Sequence, residues 1–370
     1  MSWMVLVFTL GLVSLAGLVY IVSRFRRFSR LRALREKRPA LSWLAALAAA
    51  VLPLGVTALL VNLFTAVIVF LHLLLIWLLC DCVGGIVRRV RGVKAKRYWP
   101  GAAALALTVL VIFCGWLSAY RVRRTAYTVE TGKALSGPVR VAEIADSHIG
   151  VTLSAKRFAR ELEKIRGSDP DLLVIAGDFV DDDTTRPEML AAYRALGELK
   201  LPYGVFYVYG NHDRGYYRHK DFSSGELRQA LADAGVTVLE DSAAKLDCGL
   251  TVIGRKDRSF GDRLSAARLT EGADPDSFLL MLDHQPNDYA AEAAAGADLV
   301  LSGHTHGGHI WPAGLIGLAL GANDRVYGYE RRAETDFIVT SGIAGWAIPI
   351  KTGTFSEYVI IDVVPSAAAS

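Results

Sequence analysis

The 370-residue sequence predicts an α/β sandwich flanked by helices and preceded by a four-helix transmembrane region. Up to Tyr120 the chain is a series of long apolar stretches separated by basic segments, the pattern of bilayer-crossing helices. From Val139 onward, short runs rich in Val, Ile, Leu and Tyr alternate with helical patterns. That alternation implies buried strands, a good part of them parallel. Five of those runs lead into Asp, Asn or His, and ligands in such sheets gather beyond the carboxyl ends of the strands.

Charge divides the chain as sharply. Residues 1–124 hold 17 Lys and Arg against Glu36 and Asp81, a net of +15. The remainder holds 24 basic and 35 acidic residues, a net of −11. The basic part suits the anionic headgroups of membrane lipids on a cytoplasmic leaflet. The acidic part argues against nonspecific nucleic-acid binding, which needs clustered cations. The four cysteines make no disulfide framework: Cys80, Cys82 and Cys114 lie in or beside apolar spans, and Cys248 beside a glycine reads as inert.

Met4–Val22 is apolar throughout and about long enough to cross a bilayer. No basic residue precedes it and no small-residue cleavage site follows, so it reads as an anchor rather than a cleaved signal. Arg24 to Arg38 adds eight basic residues. Leu41–Cys80 is nearly uncharged; as one helix it would run ~60 Å, about twice the hydrocarbon thickness. It must fold back near Asn62, giving spans at about 41–60 and 63–80, the first kinked by Pro53 and Gly55. A second basic segment, Arg88 to Arg97, holds six Lys and Arg, and Gly101–Tyr120 makes the fourth span. Lys and Arg counts place both basic loops in the cytoplasm. Four spans then put the catalytic part outside the cell membrane, with Arg121, Arg123 and Arg124 opposing mildly. His72, mid-span, reads as a neutral, hydrogen-bonded bundle histidine, and the spans contain no intramembrane charge pair.

Residues 121–138 are polar, end in Ser-Gly-Pro and read as a linker. The rest, 139–370, repeats one pattern. Val139–Ala145 leads into Asp146-Ser147-His148, Asp171–Ala176 into Gly177-Asp178, and Tyr203–Tyr209 into Gly210-Asn211-His212-Asp213. Ser277–Leu282 leads into Asp283-His284, and Leu299–Leu301 towards Gly303-His304-Thr305-His306. Ser154 can cap a helix in which Phe158, Leu162 and Ile165 share a face, stopping before Gly167; 187–199 and 224–234 look similar. The imidazoles of His304 and His306, two apart in an extended segment, point to one side. Carboxylate oxygen, amide oxygen and imidazole nitrogen without thiolate suit Mn²⁺, Fe²⁺ or Zn²⁺ rather than a structural Cys-zinc site.

The order Asp-x-His, Gly-Asp, Gly-Asn-His-Asp, His, Gly-His-x-His resembles the calcineurin-like metallophosphoesterases, from about residue 139 to the C-terminus. The membrane-anchored group with Gly-His-Thr-His-Gly-Gly looks most similar, with His309 here where that group usually places glutamine. The resemblance implies a two-metal centre. Asp146, His148, Asp178 and His306 would hold one ion and Asp178, Asn211, His284 and His304 the other, with Asp178 bridging. Two dications ~3.5–4 Å apart bring the pKa of a shared water towards neutrality and clamp an in-line displacement. The implied reaction is attack of metal-bound hydroxide on phosphorus. Asn211 and His212 are adjacent, so their side chains diverge. His212 is assigned to transition-state stabilisation or leaving-group protonation. Asp181 is assigned to orienting His212, and Asp213 to supporting the ligands from behind. Asp182 and Asp183 read as solvated, and His219, among Tyr216, Tyr217 and Arg218, as an exposed loop residue.

Departures from the family narrow the substrate. Protein Ser/Thr phosphatases continue the Gly-Asp motif with Arg-Gly where Asp182-Asp183 stands here. Purple acid phosphatases place a tyrosine ligand at the position of Asp181. The uncharged stretch Ile310–Leu320 follows the ligand loop and reads either as a buried loop or as the wall of a lipid-tail path. The expected enzyme hydrolyses a phosphodiester, pyrophosphate or phosphomonoester, lipid-linked or from a cell-envelope precursor. The alternatives are a metal-binding membrane sensor with vestigial hydrolase activity, which would not need His212, and a nuclease, which the net −11 disfavours.

Overall fold

The computed structural model describes residues 3–92, 97–213 and 221–366. His219 and its neighbours Tyr216, Tyr217 and Arg218 lie outside the described residues. The chain divides into two compact units, Met1–Cys114 and Gly115–Ser370. Their boundary falls inside the last apolar helix instead of after Tyr120.

The first unit is helical: α1 (Trp3–Phe25), α2 (Ser29–Lys37), α3 (Pro39–Leu60), α4 (Leu63–Arg91) and the start of α5 (Trp99–Tyr120). Of these, α3, α4 and α5 are long and apolar enough to cross a membrane; α1 contributes a shorter apolar stretch, Gly11–Phe25. Small residues Ala46 and Ala50 of α3 are buried with Ile21, Phe70 and Trp77, which lets helix backbones approach. The chain does fold back at Asn62, whose Oδ1 accepts from Thr65 N at 2.8 Å and so caps α4. His72 Nδ1 lies 2.8 Å from the Ile68 carbonyl, as a bundle histidine should.

Three sequence expectations need correcting in this unit. The third apolar helix does not stop at Cys80 but runs to Arg91. It can do so because Asp81 is neutralised by Arg24 Nε at 2.7 Å and accepts from Tyr20 at 2.8 Å and Tyr98 at 2.6 Å. The helical unit therefore holds an acid–base pair that composition did not reveal. The basic segment after α1 is not a loop throughout: α2 forms with no buried residue.

Among the described residues, the second unit contains twelve strands and the remaining helices. In order these are β1 (Arg123–Thr131), β2 (Val139–Ile144), α6 (Ala155–Arg166), β3 (Leu172–Ala176), α7 (Arg186–Glu198), β4 (Val205–Val208), α8 (Ser224–Asp233), β5 (Thr237–Val238) and β6 (Ser242–Lys245). They continue as β7 (Leu250–Gly254), α9 (Ala266–Thr270), β8 (Phe278–Leu282), α10 (Tyr289–Ala294), β9 (Leu299–Ser302), α11 (Ala313–Ala319), β10 (Gly328–Arg332), β11 (Thr335–Val339) and β12 (Glu357–Pro365). One sheet has the order β1-β12-β2-β3-β4-β5, the other β10-β11-β9-β8-β7-β6. Both are mixed, with parallel pairs at their centres.

Strand alternation explains the layering. Phe278, Leu280 and Leu282 of β8 join Leu172 and Val174 of β3 in the core between the sheets. Leu279 and Met281 point the other way, onto α9 and α10 with Ala266 and Tyr289. On the opposite flank, Leu173 and Ile175 pack with Phe158, Leu162 and Ile165 of α6 and with Met189, Tyr193 and Leu227 of α7 and α8. The result is helices, two sheets and helices.

The expected linker at 121–138 is also corrected. Most of its first half is β1, paired in parallel with β12 from Arg123↔Glu357 to Thr131↔Pro365. As an edge strand it buries alternate residues only, Thr125, Tyr127, Val129 and Thr131 at least in part, while Arg124, Ala126, Thr128 and Glu130 stay exposed. One solvated face makes such a strand read as polar.

Candidate metal centre

Each candidate ligand stands just beyond the carboxyl end of a strand. Asp146 and His148 follow β2, Asp178 follows β3, Asn211 and His212 follow β4, His284 follows β8, and His304 and His306 follow β9. The structure brings them together as two groups able to hold a cation: Asp146, His148 and His306; and Asp178, His284 and His304. Asn211 joins the second, its Oδ1 lying 3.0 Å from His304 Nδ1 and 3.2 Å from His284 Nε2. In the first, His148 Nε2 and His306 Nε2 face each other at 3.2 Å. Asp178 stands between the groups, its Oδ2 3.2 Å from His284 Nε2 and 3.9 Å from His148 Nε2.

The backbone here is strained. Asp146, His148, Asp178, His304 and His306 all have positive φ, between 35° and 68°, a region that disfavours side chains and clusters at functional sites. The surrounding framework enforces it. Asp213 is buried, and its carboxylate accepts from the amides of Asp178, Phe179, Val180 and Gly210 at 2.8–3.1 Å. It ties the β3 and β4 loops together. A Cβ at Gly177 would meet His284 Nδ1 at 2.5 Å, and one at Gly210 would fall on Asp178 Oδ1. Glycine precedes both ligand positions because the loops pass this closely.

The expected role of Asp181 is corrected. Its Oδ2 lies 2.8 Å from His148 Nδ1, and its Oδ1 accepts from Asp183 N. It orients a candidate ligand imidazole, the arrangement in which a carboxylate fixes the tautomer and raises basicity, rather than His212. His284 is held in the same manner by the Ala176 carbonyl, 2.7 Å from Nδ1. Spacing from Asp178 could not separate the two imidazoles, because both rings converge here: His148 and His212 meet edge-on with centroids 5.2 Å apart.

Electrostatics favours a cation at the centre. Burial by itself would raise Asp178, but His284 and then His148 and His212 hold its carboxyl far below the usual range. Burial lifts Asp146 to about 6 against the pull of His284. Burial opposes protonation of His284, yet Asp178 beside it pushes the imidazole well above its ordinary value. Burial drops His212 and His304 to about 4. Such a cluster retains protons where divalent ions would otherwise balance the carboxylates. Asp146 Oδ2 and His306 Nδ1 are buried with no hydrogen-bond partner, and the O/N donor set fits a hard or borderline divalent ion.

Sequence reasoning missed several neighbours. Trp346 packs its ring 5.4 Å from His212 and 6.4 Å from His148. Lys351 is fully buried and donates to the Ser341 carbonyl at 2.6 Å. Neither sits in a recognisable motif. His309 packs against His306, centroids 5.3 Å apart, and Cys248 is a buried free thiol.

Comparison with known proteins agrees with this geometry. A family model described as calcineurin-like phosphoesterase matches residues 139–308. A metallophosphoesterase of Aquifex aeolicus is 31% identical over 266 residues, covering 70% of this chain and 97% of its own. A Caenorhabditis elegans metallophosphoesterase is 30% identical over 291 residues, covering 72% of this chain and 58% of its own. A Bos taurus transmembrane protein with metallophosphoesterase domain is 27% identical over 277 residues, covering 70% and 61% respectively. The chain thus spans under two thirds of the worm and bovine relatives. With its candidate ligands at the strand ends and a 31% identity that covers nearly the whole Aquifex protein, this chain belongs to the calcineurin-like phosphoesterases, a family of metal-dependent phosphoric ester hydrolases.

Proposed function

We propose that the protein is a multi-pass membrane phosphoesterase whose seven candidate ligands, Asp146, His148, Asp178, Asn211, His284, His304 and His306, hold two divalent ions, Mn, Fe or Zn. The observation that carries this reading is Asp178, set between two convergent N/O groups. Bound ions would supply Lewis-acid polarisation of the phosphoryl group and an acidified water. The protein's own residues do the rest. Asp181 and the Ala176 carbonyl fix the tautomers of His148 and His284. His212, belonging to neither group, is placed to donate a hydrogen bond or proton to the departing oxygen. Asp213 fixes the loops that carry Asp178 and Asn211.

The substrate we favour is a lipid-linked phosphodiester or pyrophosphate, such as a cell-envelope precursor. Directly after the ligand loop, Trp311, Leu315, Ile316, Leu318 and Leu320 are exposed. Gly307, Trp311, Leu315 and Leu318, with the charged residues Asp324, Arg325, Glu330 and Arg332, line a cavity of about 680 Å³. The exposed apolar wall suits an acyl chain, and the guanidinium groups of Arg325 and Arg332, both paired with Glu330 at 2.8 Å, stand beside it. Lys and Arg counts favour an extracytoplasmic domain at the cell membrane. A panel of bis-nitrophenyl phosphate, nitrophenyl phosphate and lipid pyrophosphates, assayed with Mn, Fe or Zn added back, tests the reading. Turnover of none of them would refute it. Leu315→Glu and Leu318→Glu should impair lipid hydrolysis more than nitrophenyl ester hydrolysis; equal loss would remove the lipid assignment.

A further inference from the structure

Within the helical unit, five arginines surround one pocket. Arg27 lies between α1 and α2, Arg32 and Arg35 on α2, Arg88 near the end of α4, and Arg97 just before α5. The pocket has a volume of about 390 Å³, and Tyr98, Trp99 and Pro100 complete its wall. Among the described residues, none of the five arginines is paired with a carboxylate. The unit has only two acids, Glu36 and Asp81, and Asp81 is engaged by Arg24, Tyr20 and Tyr98.

The aromatic wall is fixed rather than incidental. Tyr98 donates to Asp81 Oδ1 at 2.6 Å and accepts from Trp77 Nε1 at 2.8 Å. Its ring meets Phe28 edge-on at 5.5 Å, and the Arg27 guanidinium lies 5.6 Å from its centroid. A Cβ at Gly84 would come within 2.6 Å of Pro100, so α4 and the start of α5 meet closely behind the pocket. Five exposed guanidinium groups lining one pocket, with no carboxylate partner among the described residues, suit an anion. Planar guanidinium groups suit phosphate oxygens in particular.

We propose that this pocket binds the phosphate headgroup of an acidic membrane phospholipid. Its position argues for a lipid over a dissolved anion. As a helix of 29 residues, α4 runs ~43 Å, longer than the ~30 Å hydrocarbon core. Its last turns, which carry Arg88, therefore reach headgroup level. Trp99 and Tyr98 are residues that settle at the same depth. The volume equals about a dozen waters at ~30 Å³ each, more than a bare phosphate fills. This pocket shares no residue with the candidate metal centre and does not depend on the proposed substrate.

The test uses the full chain in nanodiscs of phosphatidylcholine, with or without phosphatidylglycerol, and native mass spectrometry to count retained lipids. Wild type should retain phosphatidylglycerol selectively. The triple variant Arg32→Gln/Arg88→Gln/Arg97→Gln should weaken retention roughly 100-fold, and Arg97→Gln alone, at a position outside the helices, roughly 5-fold. Arg30→Gln/Arg89→Gln/Arg91→Gln removes equal charge away from the pocket and should weaken retention clearly less than the pocket triple does. Equal loss in both triples would overturn the proposal in favour of diffuse attraction. Unselective retention of phosphatidylcholine would also overturn it. So would tight binding of inorganic phosphate in phosphatidylcholine discs with no further effect of phosphatidylglycerol.

Discussion

The two sheets of the second unit contribute unequally to the candidate site. The sheet containing β2, β3 and β4 delivers every carboxylate of the candidate groups, Asp146 and Asp178, and also Asp181 and Asp213 beside them. The sheet containing β8 and β9 delivers imidazoles only, His284, His304 and His306. One sheet therefore supplies the acidic members of the candidate groups and the other only imidazoles, of which Asp178 pushes His284 well above its ordinary pKa. Neither is a site alone. The apolar core they share, from Leu172 and Val174 to Leu280 and Leu282, is what brings Asp146 and His306 within 3.8 Å.

This asymmetry can be broken from either side. Asp178→Asn, on the acidic sheet, should do the most damage, because both groups rely on that carboxylate. Hydrolysis should fall at least roughly 10³-fold, and plasma mass spectrometry should find most metal gone; a fully loaded, active variant would contradict the bridging role. His304→Ala, on the imidazole sheet, touches one group and should lower metal content towards one ion per chain. His212→Ala separates chemistry from binding: turnover should drop about 10²–10⁴-fold with metal retained. Loss of metal would make His212 a ligand instead. Asp181→Asn should weaken metal affinity about 10–100-fold through His148, measured by chelator competition.

The smallest expected effect concerns stability. Glu143 on β2 is fully buried, with neither carboxyl oxygen hydrogen-bonded. Burial, with Glu357 and Asp146 nearby, pushes its pKa well above the ordinary value. The folded state thus holds a proton that the unfolded chain releases above about pH 4.3. The contribution of Glu143 is fully present below that pH and is lost as pH rises towards its folded pKa. Glu143→Met should raise stability at pH 8 by about 1–3 kcal/mol, and the gain should shrink on acidification. Denaturant melts of both proteins across pH check this. A constant difference would mean that the carboxyl is not protonated in the fold.

Much of this architecture was legible in one dimension. The fold-back at Asn62, the helix face of Phe158, Leu162 and Ile165, and the strand-end positions of the candidate ligands all follow from local rules of length, capping and period. The edge strand β1 was not, because its pairing partner β12 lies more than two hundred residues away and its outer face is solvated. Nor was the length of α4, since the neutralisation of Asp81 depends on Arg24, Tyr20 and Tyr98 from other helices.

By itself, the order of residues determined that an apolar helical part precedes an α/β sandwich, and which oxygens and nitrogens stand at its strand ends. Only the tertiary structure decided which imidazole Asp181 holds, that Asp213 clamps the β3 and β4 loops, and that Trp346 covers His212 and His148. The reason is range. Strand period and helix capping act over a few residues and can be read along the chain. A contact between side chains from different loops is set by how the sheets pack.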